Sequence, residues 1–286
     1  MSDGKMVEAP ALRQFQAADL EGGHALTRGV SWPHRLEDWH FFHSLGFGFA
    51  AEEGGQLLGT ALGWEFGEDH GAVGLIVVAP EAQGRGLGRL LTSAVLERLG
   101  DRSVALTATD AGYPLYVKLG FEVVGAVHQH QGAAFSVGLV PLAAGERLRP
   151  LGRSDLELVR GLDAAATGLD RAALLEALLG VAEGVVLERG GQPVGFSLLR
   201  RFGRGHVIGP VVAPDLAAAQ ALVAHWLGVR SGQFLRIDVP AESGLSPWLQ
   251  EMGLAQVDNA RAMRRGPAPV PRGDVARFAL VSQALG

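Results

Sequence analysis

The pattern of apolar and polar positions in the first half of the chain predicts an alternation of strands and helices. A continuous apolar run at residues 72–78 predicts a buried strand. Residues 86–99 follow it, and their leucine, alanine and valine side chains recur at helical spacing. Ser31, followed by Trp32 and Pro33, predicts the cap of a further helix. The remaining expected elements are strands at 11–14, 46–52, 56–65, 104–109, 121–127 and 134–139, and helices at 17–28, 34–45 and 112–119.

The second half of the chain repeats the first at a nearly constant spacing. Pro114 and Pro247 lie 133 residues apart, and so do Gly120 and Gly253. The apolar strand before Pro80 also has a counterpart before Pro214. A constant offset of this kind is the signature of an internal duplication, so the sequence predicts two copies of one fold.

The duplication predicts two domains, residues 1–140 and 141–286, with a connector at about 141–149. Helices at 155–165 and 171–179 and a hairpin around 189–192 are expected in the second copy. The predicted fold class is α/β (α+β), with a mixed, mostly antiparallel sheet flanked by helices in each half.

A glycine-rich loop lies between the apolar strand and the helix of the first half. Residues 83–88 read Gln-Gly-Arg-Gly-Leu-Gly. The first amides of a helix point outward and carry partial positive charge, so a diphosphate can bind there if no Cβ intervenes. The residues that suit this role are the glycines Gly84, Gly86 and Gly88, with Arg85 and Arg89 as charged donors.

Other interpretations of these glycines fit less well. A dinucleotide fingerprint requires a third glycine where this chain has Arg89, and a nucleotide P-loop requires a Lys-Ser/Thr pair that is absent. A glycine-rich turn without a ligand is plausible for an isolated Gly-x-Gly. It becomes less plausible because a strand precedes the loop and a helix follows it.

Residues 10–140 resemble a complete GNAT-type N-acetyltransferase domain, on the evidence of two stretches. These are the loop at 83–88 and Leu-Tyr-Val-Lys-Leu-Gly-Phe at 115–121. The chain as a whole resembles bacterial two-domain proteins of the YitH type, in which the C-terminal GNAT-like domain is divergent. Weaker shared features are Trp32, Asp38-Trp39, Leu162-Asp163, Asp170-Arg171 and Ile208-Gly209-Pro210.

The resemblance implies an N-acetyltransferase in which an amine attacks the thioester of acetyl-CoA directly, without a metal. It implies that main-chain groups of the apolar strand bond the pantetheine, and that Tyr116 is the general acid for the leaving thiolate. The implied cofactor-binding residues are Ile76, Val77, Val78, Gln83, Gly84, Arg85, Gly86, Leu87, Gly88 and Arg89.

The general base is left open by the sequence, whereas the acceptor site is expected to be formed by the first helices and the hairpin of the first half. Candidate bases are Glu65, Glu68, Asp69, His34 and His70, and a water chain can also serve. Within the aromatic segment at 32–49, the spacing of Leu36, Trp39 and Phe42 or His43 is interpreted first as a core-facing helix stripe and second as a pocket wall. The histidine pairs His40/His43 and His128/His130 have no third ligand nearby in sequence, so a metal site is not expected.

The second copy has lost the features of the loop. After Pro214 the chain reads Asp-Leu-Ala-Ala-Ala-Gln-Ala-Leu, and the tyrosine position holds Trp248 or Leu249. We therefore expect no acyl-CoA binding by the second copy. It is expected to complete the acceptor pocket, stabilise the first copy or form an assembly surface, and a homodimer is one such assembly.

Composition narrows the remaining classes of function. The 286 residues are 48% hydrophobic and 19% charged, with no cysteine and a net charge of −5, which disfavours disorder, disulfides and general nucleic-acid binding. Residues 1–140 carry a net charge of −7 and residues 141–286 carry +2, so the first half would attract a cationic amine, although ordinary surface composition explains the difference equally well. No apolar run is long enough to span a bilayer and no signal peptide opens the chain, so a cytoplasmic protein is expected.

The leading functional hypothesis is acetyl transfer to a small-molecule amine. A CoA-responsive regulatory or binding module with little catalysis, and an N-acetyltransferase acting on proteins or peptides, are the alternatives.

Overall fold

The computed structural model describes residues 10–133 and 140–286, and its mixed, largely antiparallel sheet with flanking helices confirms the predicted fold class. The strands are β1 (Ala11–Gln14), β2 (Phe47–Glu53), β3 (Gln56–Phe66), β4 (His70–Val78), β5 (Ser103–Ala108), β6 (Glu122–Ala133), β7 (Glu146–Pro150), β8 (Ala182–Arg189), β9 (Gln192–Phe202), β10 (Gly205–Ala213), β11 (Phe234–Pro240), β12 (Ala255–Arg265) and β13 (Ala276–Ala279). The helices are α1 (Leu20–Gly29), α2 (Leu36–Ser44), α3 (Leu87–Leu99), α4 (Tyr113–Lys118), α5 (Leu156–Thr167), α6 (Ala172–Val181), α7 (Leu216–Val229) and α8 (Leu245–Glu251). The strand expected at 134–139 lies outside the described residues.

The chain forms two compact units. One consists of the residues up to Trp64 together with Val73–Gly100, and the other of Glu65–Ala72 together with the residues from Asp101 onward. The domain boundary near residue 141 stays a prediction, because these units follow packing rather than the sequence repeat.

In the first unit, β1, β2 and β3 form an antiparallel meander. Gly54 and Gly55 close the β2–β3 hairpin at φ angles of 56° and 79°, a conformation that favours glycine. The aromatic side chains of α2 pack inward, since Trp39 and Phe42 are fully buried and the ring of Phe42 lies 5.8 Å from that of Trp64. The interpretation of Trp39 and Phe42 as part of a core-facing stripe is therefore confirmed.

The predicted start of α2 is wrong. Ser31 has a φ of 61° and does not cap the helix, which begins at Leu36. The Asp38 carboxylate accepts a hydrogen bond from the main-chain N–H of Arg35 at 2.9 Å and also pairs with the Arg35 guanidinium. The start of the helix is thus fixed by the carboxylate of Asp38, the third residue of the helix. The Ser-Trp-Pro sequence suggested an earlier start.

In the second unit, the strand order is β7-β8-β9-β10-β11-β6-β12-β5, and β13 pairs with β10. Neighbouring strands of this sheet pair in antiparallel fashion, with two exceptions. β10 pairs in parallel with β11, and the start of β4 pairs in parallel with β5. The central strands β11, β6, β12 and β5 come alternately from the second and the first repeat.

This alternation is a reciprocal exchange of strands. β12 lies between β5 and β6, because Ala262 pairs with both Thr107 and Gly125. β6 likewise lies between β11 and β12, with Val127 opposite Pro240 and Ala260. Among the described residues, the strand predicted at 121–127 therefore pairs with β11 and β12 of the second half and not with β5 of its own half. Duplicated strands present equivalent edges, which allows each to pair in the place of the other.

β6 also continues beyond its predicted end at Val127, through a polar stretch. His130 is fully buried, and its ring nitrogens lie 3.0 Å from the Leu254 carbonyl and 3.0 Å from the Ser246 hydroxyl. His128 Nδ1 is 2.7 Å from the same hydroxyl. Burial lowers the pKa of His130. These bonds satisfy polar side chains inside the sheet, which is why a sequence that is atypical of a strand forms one here.

Candidate active site

The glycine-rich loop begins a few residues after the end of β4. A short turn at Pro80–Ala82 leads to residues 83–86, all exposed, and then to α3. Gly84 and Gly86 have φ angles of 77° and 82°. A Cβ at either position would meet no atom within 4 Å, so the left-handed backbone, rather than crowding by the protein, favours glycine here.

The first amides of α3 are available to a ligand. Gly86 is the N-cap residue and no side chain caps the helix. The Leu90 N–H donates a hydrogen bond to the Gly86 carbonyl at 3.1 Å, and this bond closes the first turn of the helix. The preceding amides, of Leu87, Gly88 and Arg89, have no helical acceptor by the geometry of an α-helix. An anion placed at this end gains hydrogen bonds and a favourable helix dipole.

Arg85 makes a two-pronged ion pair with Glu53 of the β2–β3 hairpin. The two guanidinium nitrogens lie 3.1 and 2.5 Å from the carboxylate oxygens. The bonds from Arg85 hold the pKa of Glu53 below its usual value. Both groups are solvent-accessible, so a phosphate can compete with Glu53 for the same guanidinium.

β4 departs from regular strand geometry just before its last three residues. Leu75 has a φ of 49°, which is uncommon outside glycine, and its carbonyl accepts a hydrogen bond from Thr60 Oγ1 at 3.0 Å. At the end of the strand, the Gln83 side-chain amide donates to the Val78 carbonyl at 3.2 Å. Gln83 therefore ties the loop back to the strand.

The parallel ladder between β4 and β5 covers residues His70–Ala72 of β4 and ends there. The main chain of Ile76, Val77 and Val78, which the resemblance assigns to the pantetheine, is not part of this described ladder. The Val77 side chain is buried and its two neighbours are half-buried, so their contribution to a ligand would come from main-chain groups.

Tyr116 lies on α4 in the second unit. Its side chain is 6% exposed, and its ring packs edge-on against Phe121 at 6.1 Å. A Cβ at Gly112 would lie 2.8 Å from the ring, so this glycine makes room for the tyrosine. Burial raises the pKa of Tyr116 to about 12. Its hydroxyl has no hydrogen-bond partner among residues 10–133 and 140–286, so the phenol keeps its proton and has a donor to offer.

Comparisons with known proteins identify the family of the chain. Profiles of the acetyltransferase (GNAT) family and of an acetyltransferase (GNAT) domain match residues 11–121 and 159–276, respectively. A Bacillus subtilis (strain 168) protein, described as the uncharacterized N-acetyltransferase YitH, is 31% identical over 220 residues, which are 75% of this chain and 76% of that protein. The chain belongs to the GNAT family of acetyltransferases. It is an acyltransferase with two GNAT domains in tandem.

Two further relatives extend the comparison. The holothin acyltransferase of Pseudoalteromonas sp. (strain SANK 73390) is 26% identical over 206 residues, or 71% of this chain and 69% of that protein. The crystal structure of a putative acetyltransferase from Pyrococcus horikoshii superposes with a TM-score of 0.80 and 20% identity, covering 100% of this chain and 99% of that one. At this identity the superposition shows the shared tandem fold alone.

The second GNAT repeat has a capped helix where the first has the open loop. α7 corresponds to α3, and its N-cap Asp215 accepts a hydrogen bond from the Ala218 main-chain N–H at 2.8 Å. That bond lowers the pKa of Asp215, which also pairs with Arg189 at 3.0 Å. A protein carboxylate thus occupies the place of an anionic ligand. The alanines are evident in the sequence, but the capping role of Asp215 was not predicted, although aspartate before a helix is a recognised capping signal.

The candidate bases lie in different surroundings. Glu65, Glu68 and Asp69 are exposed near the turn between β3 and β4. His70 at the start of β4 is half-buried, and its Nε2 atom is buried without a hydrogen-bond partner among the described residues. His34 lies in the first unit with its ring 5.9 Å from that of Phe42. His70 is the candidate that lines a cavity.

No cluster of three or more histidine, aspartate, glutamate or cysteine side chains suited to a metal occurs within the described parts of the chain. Over the same residues, every helix is too short or too polar to cross a bilayer.

A cavity of about 670 Å³ lies within the second unit. It is lined by the start of β4, by β5, β6 and β12, by the end of α5 and by the last residues of the chain. The sequence does not predict this cavity, because its walls come from segments as far apart in the chain as Phe66 and Gly286.

Proposed function

We propose that this chain transfers an acetyl group from acetyl-CoA to the amine of a small-molecule acceptor, using the first repeat to bind the donor. The observation that carries the proposal is the contrast between the two repeats. The start of α3 is uncapped and follows two glycines in the left-handed conformation, whereas the start of α7 is capped by Asp215. An uncapped, exposed helix start is suited to the diphosphate of CoA.

The reaction needs an amine in its neutral form. Its nitrogen attacks the thioester carbonyl carbon, the new C–N bond forms, the C–S bond breaks, and the proton lost by nitrogen ends on the CoA sulfur. An ordinary alkylamine with a pKa of about 10.4 is mostly protonated at neutral pH, so a group or a water must first accept its proton.

Tyr116 is proposed to stabilise the leaving thiolate. With a pKa of about 12 the phenol is a weaker acid than an ordinary thiol, whose pKa is about 8.5, so complete transfer of its proton to sulfur is uphill. A hydrogen bond from the phenol to the sulfur, as negative charge develops there, is the role that this pKa supports. The proton that finally neutralises the thiolate can come from the acceptor's own nitrogen.

Replacing Tyr116 by phenylalanine is expected to reduce kcat by about 10- to 100-fold, since one donor to the transition state is lost. The affinity for acetyl-CoA is expected to stay nearly unchanged. Thiol release from acetyl-CoA with a panel of small amines measures the first quantity, and calorimetric titration measures the second.

Tyr113→Phe is the matched control, because Tyr113 lies on the same helix with its ring under the Arg261 guanidinium at 4.6 Å. That variant is expected to retain wild-type turnover. Unchanged turnover in Tyr116→Phe would refute the role of Tyr116. Acetyl-CoA binding without thiol release for any amine would instead favour a CoA-responsive module.

The choice of a small molecule as the acceptor is supported by the name of one relative. One relative is named for holothin rather than for a protein. An amine panel that includes peptide N-termini and lysine peptides separates a small-molecule acceptor from a protein acceptor.

A further inference from the structure

The glycine-rich loop and the β2–β3 hairpin of the first unit are joined by one ion pair. Arg85 lies between Gly84 and Gly86, directly before the N-cap of α3. Each of its two terminal guanidinium nitrogens bonds one carboxylate oxygen of Glu53, at 3.1 and 2.5 Å. A phosphate can bind a guanidinium in the same two-pronged manner. Glu53 therefore occupies donors of Arg85 that a bound diphosphate would use.

The second repeat has the equivalent contact with its charges reversed. Arg189 lies 136 residues after Glu53, and a Gly-Gly pair follows each of them in its hairpin. Arg189 pairs with Asp215, the N-cap residue of α7, at 3.0 Å. In both repeats, the side chain that ends the first strand of the hairpin thus reaches the start of the helix. The fold determines this position, and the sequence determines its charge.

A second set of ion pairs supports the equivalence of the two hairpins. Three residues of each repeat form this set at the same offset of 136 residues, namely Arg13, Asp19 and Glu52 in the first repeat and Arg149, Asp155 and Glu188 in the second. The arginine pairs with both acids in each copy, and the signs of the charges are the same. The reversal of charge therefore concerns the contact at the helix start and not the hairpin as a whole.

The ion pair between Arg85 and Glu53 is accessible to solvent. The two side chains are 37% and 21% exposed, and Glu53 is followed by the exposed turn residues Gly54 and Gly55. The bonds from Arg85 hold the pKa of Glu53 below its usual value, so the carboxylate is charged at neutral pH. Exposed ion pairs are weak, because water and salt screen them. A diphosphate at the helix start can therefore displace the carboxylate at little cost.

From these observations we propose that Glu53 competes with the diphosphate of acetyl-CoA for Arg85, and thereby weakens the binding of donor and product alike. When the donor binds, Arg85 changes its partner from the carboxylate to a phosphate oxygen. This inference rests on the proposed acetyl transfer, because it takes the loop as the donor site. Glu53 is then a positioning residue, which acts through Arg85 and not on the reacting atoms.

The competition has a consequence for turnover. Acetyl-CoA and the product CoA carry the same phosphates, so the loop would hold both with the same bonds. Binding energy that substrate and product share lowers KM without raising the rate of the chemical step, and it slows the departure of the product. Glu53 reduces this shared energy, so that CoA leaves faster.

The variant Glu53→Gln tests the competition by binding alone. The amide keeps the shape of the side chain and removes its charge. The variant is expected to bind acetyl-CoA and CoA about threefold more tightly than the wild type, as the loss of a competing exposed ion pair implies. Isothermal titration calorimetry at pH 7 measures both affinities. Unchanged or weaker binding by Glu53→Gln would overturn the inference.

Glu52→Gln is the matched control for this variant. It removes the same charge from the neighbouring position of β2, and it also breaks an ion pair, with Arg13 of β1. It is expected to bind CoA with wild-type affinity, and thermal unfolding checks that both variants are folded. An equal gain in Glu52→Gln would mean that net charge, rather than competition at the loop, causes the effect, and would refute the role of Glu53.

A series of ligands identifies the phosphate group concerned. Dephospho-CoA keeps the diphosphate and lacks the 3′-phosphate, whereas S-acetylpantetheine lacks both. The gain in Glu53→Gln is expected with acetyl-CoA and with dephospho-CoA, and no gain is expected with S-acetylpantetheine. A gain confined to ligands that carry the 3′-phosphate, or one that extends to S-acetylpantetheine, would contradict competition with the diphosphate.

A double-mutant cycle separates competition for Arg85 from direct repulsion of the ligand. Arg85→Met removes the guanidinium and is expected to weaken CoA binding, because a charge-assisted donor is lost. In the Arg85→Met background, the replacement Glu53→Gln is expected to give little further gain. A full threefold gain in that background would show that Glu53 acts without Arg85, against the proposal.

Steady-state kinetics distinguishes this inference from the proposed function. In Glu53→Gln, the KM for acetyl-CoA and the inhibition constant of CoA are expected to fall by the same factor, about threefold, while kcat does not rise. Thiol release with both constants unchanged would refute the competition and leave acetyl transfer standing. Tighter CoA binding by Glu53→Gln, with no thiol release from any amine, would refute the transfer and leave the competition for Arg85 standing.

Discussion

Replacing Gly86 by valine is expected to weaken acetyl-CoA binding by about 100-fold or more, as the loss of two charge-assisted hydrogen bonds implies. Gly86 has a φ of 82° and is the N-cap of α3. A β-branched residue strongly disfavours this conformation, so the loop must rearrange and the first amides of the helix lose their common direction. Isothermal titration calorimetry with acetyl-CoA measures the effect.

Gly100→Val is the matched control for this prediction. Gly100 lies at the other end of α3, has a φ of 64°, and likewise has no atom within 4 Å of an added Cβ. Gly100 has a ψ of −132°, outside the left-handed helical region of Gly86 (ψ of 1°), so valine is strained at both ends of the helix and at least as strongly at Gly100, which is remote from the loop. If both variants lose acetyl-CoA binding equally, the effect is on folding and the assignment of the loop is wrong.

Replacing Asp163 by alanine is expected to lower the free energy of unfolding of the second unit by about 3–5 kcal/mol, the usual cost of leaving one member of a buried ion pair alone. Asp163 and Arg171 are both completely buried, and their closest atoms are 2.6 Å apart. Arg171 also donates to the main-chain oxygen of Gly286 at 2.6 Å, so the pair holds the last turn of the chain in place. Denaturant unfolding monitored by fluorescence measures the loss.

Asp170→Ala serves as the comparison. Asp170 is exposed and accepts one bond, from the Ala172 N–H at 3.2 Å, so its loss is expected to cost only about 1 kcal/mol. The double variant Asp163→Leu, Arg171→Met is expected to regain most of the stability, because no buried charge is left unpaired. An Asp163→Ala variant as stable as Asp170→Ala would contradict the structural role of the pair.

Local sequence patterns predicted the elements that position the proposed donor site. The apolar run before Pro80 and the helical spacing after Gly86 are determined by neighbouring residues, and β4 and α3 lie close to where these patterns place them. Helices α5 and α6 and the hairpin at Gly190 and Gly191 also agree within one or two residues.

The pairing of β6 could not be predicted in the same way. The repeat offset shows that β12 is equivalent to β6, but equivalence does not determine which copy each strand pairs with. The polar residues from His128 onward also conceal the length of β6, since their bonds to Ser246 and Leu254 depend on contacts more than 100 residues away in sequence.

The cavity of the second unit depends on the same long-range contacts. Arg264 and Ala262 alternate with Met263 on β12, which is typical of a strand with one polar and one buried face. That alternation could have marked Arg264 as a residue on a polar face, but only the register with β5 brings it to the same surface as His70.

The central claim is that one repeat binds the donor and the other does not. Isothermal titration of the wild-type chain with acetyl-CoA tests it by counting sites, with Gly86→Val and Asp215→Ala measured alongside. The expected result is one site per chain, lost in Gly86→Val and retained as a single site in Asp215→Ala. Two sites in the wild-type chain, or one site that survives in Gly86→Val, would contradict the account.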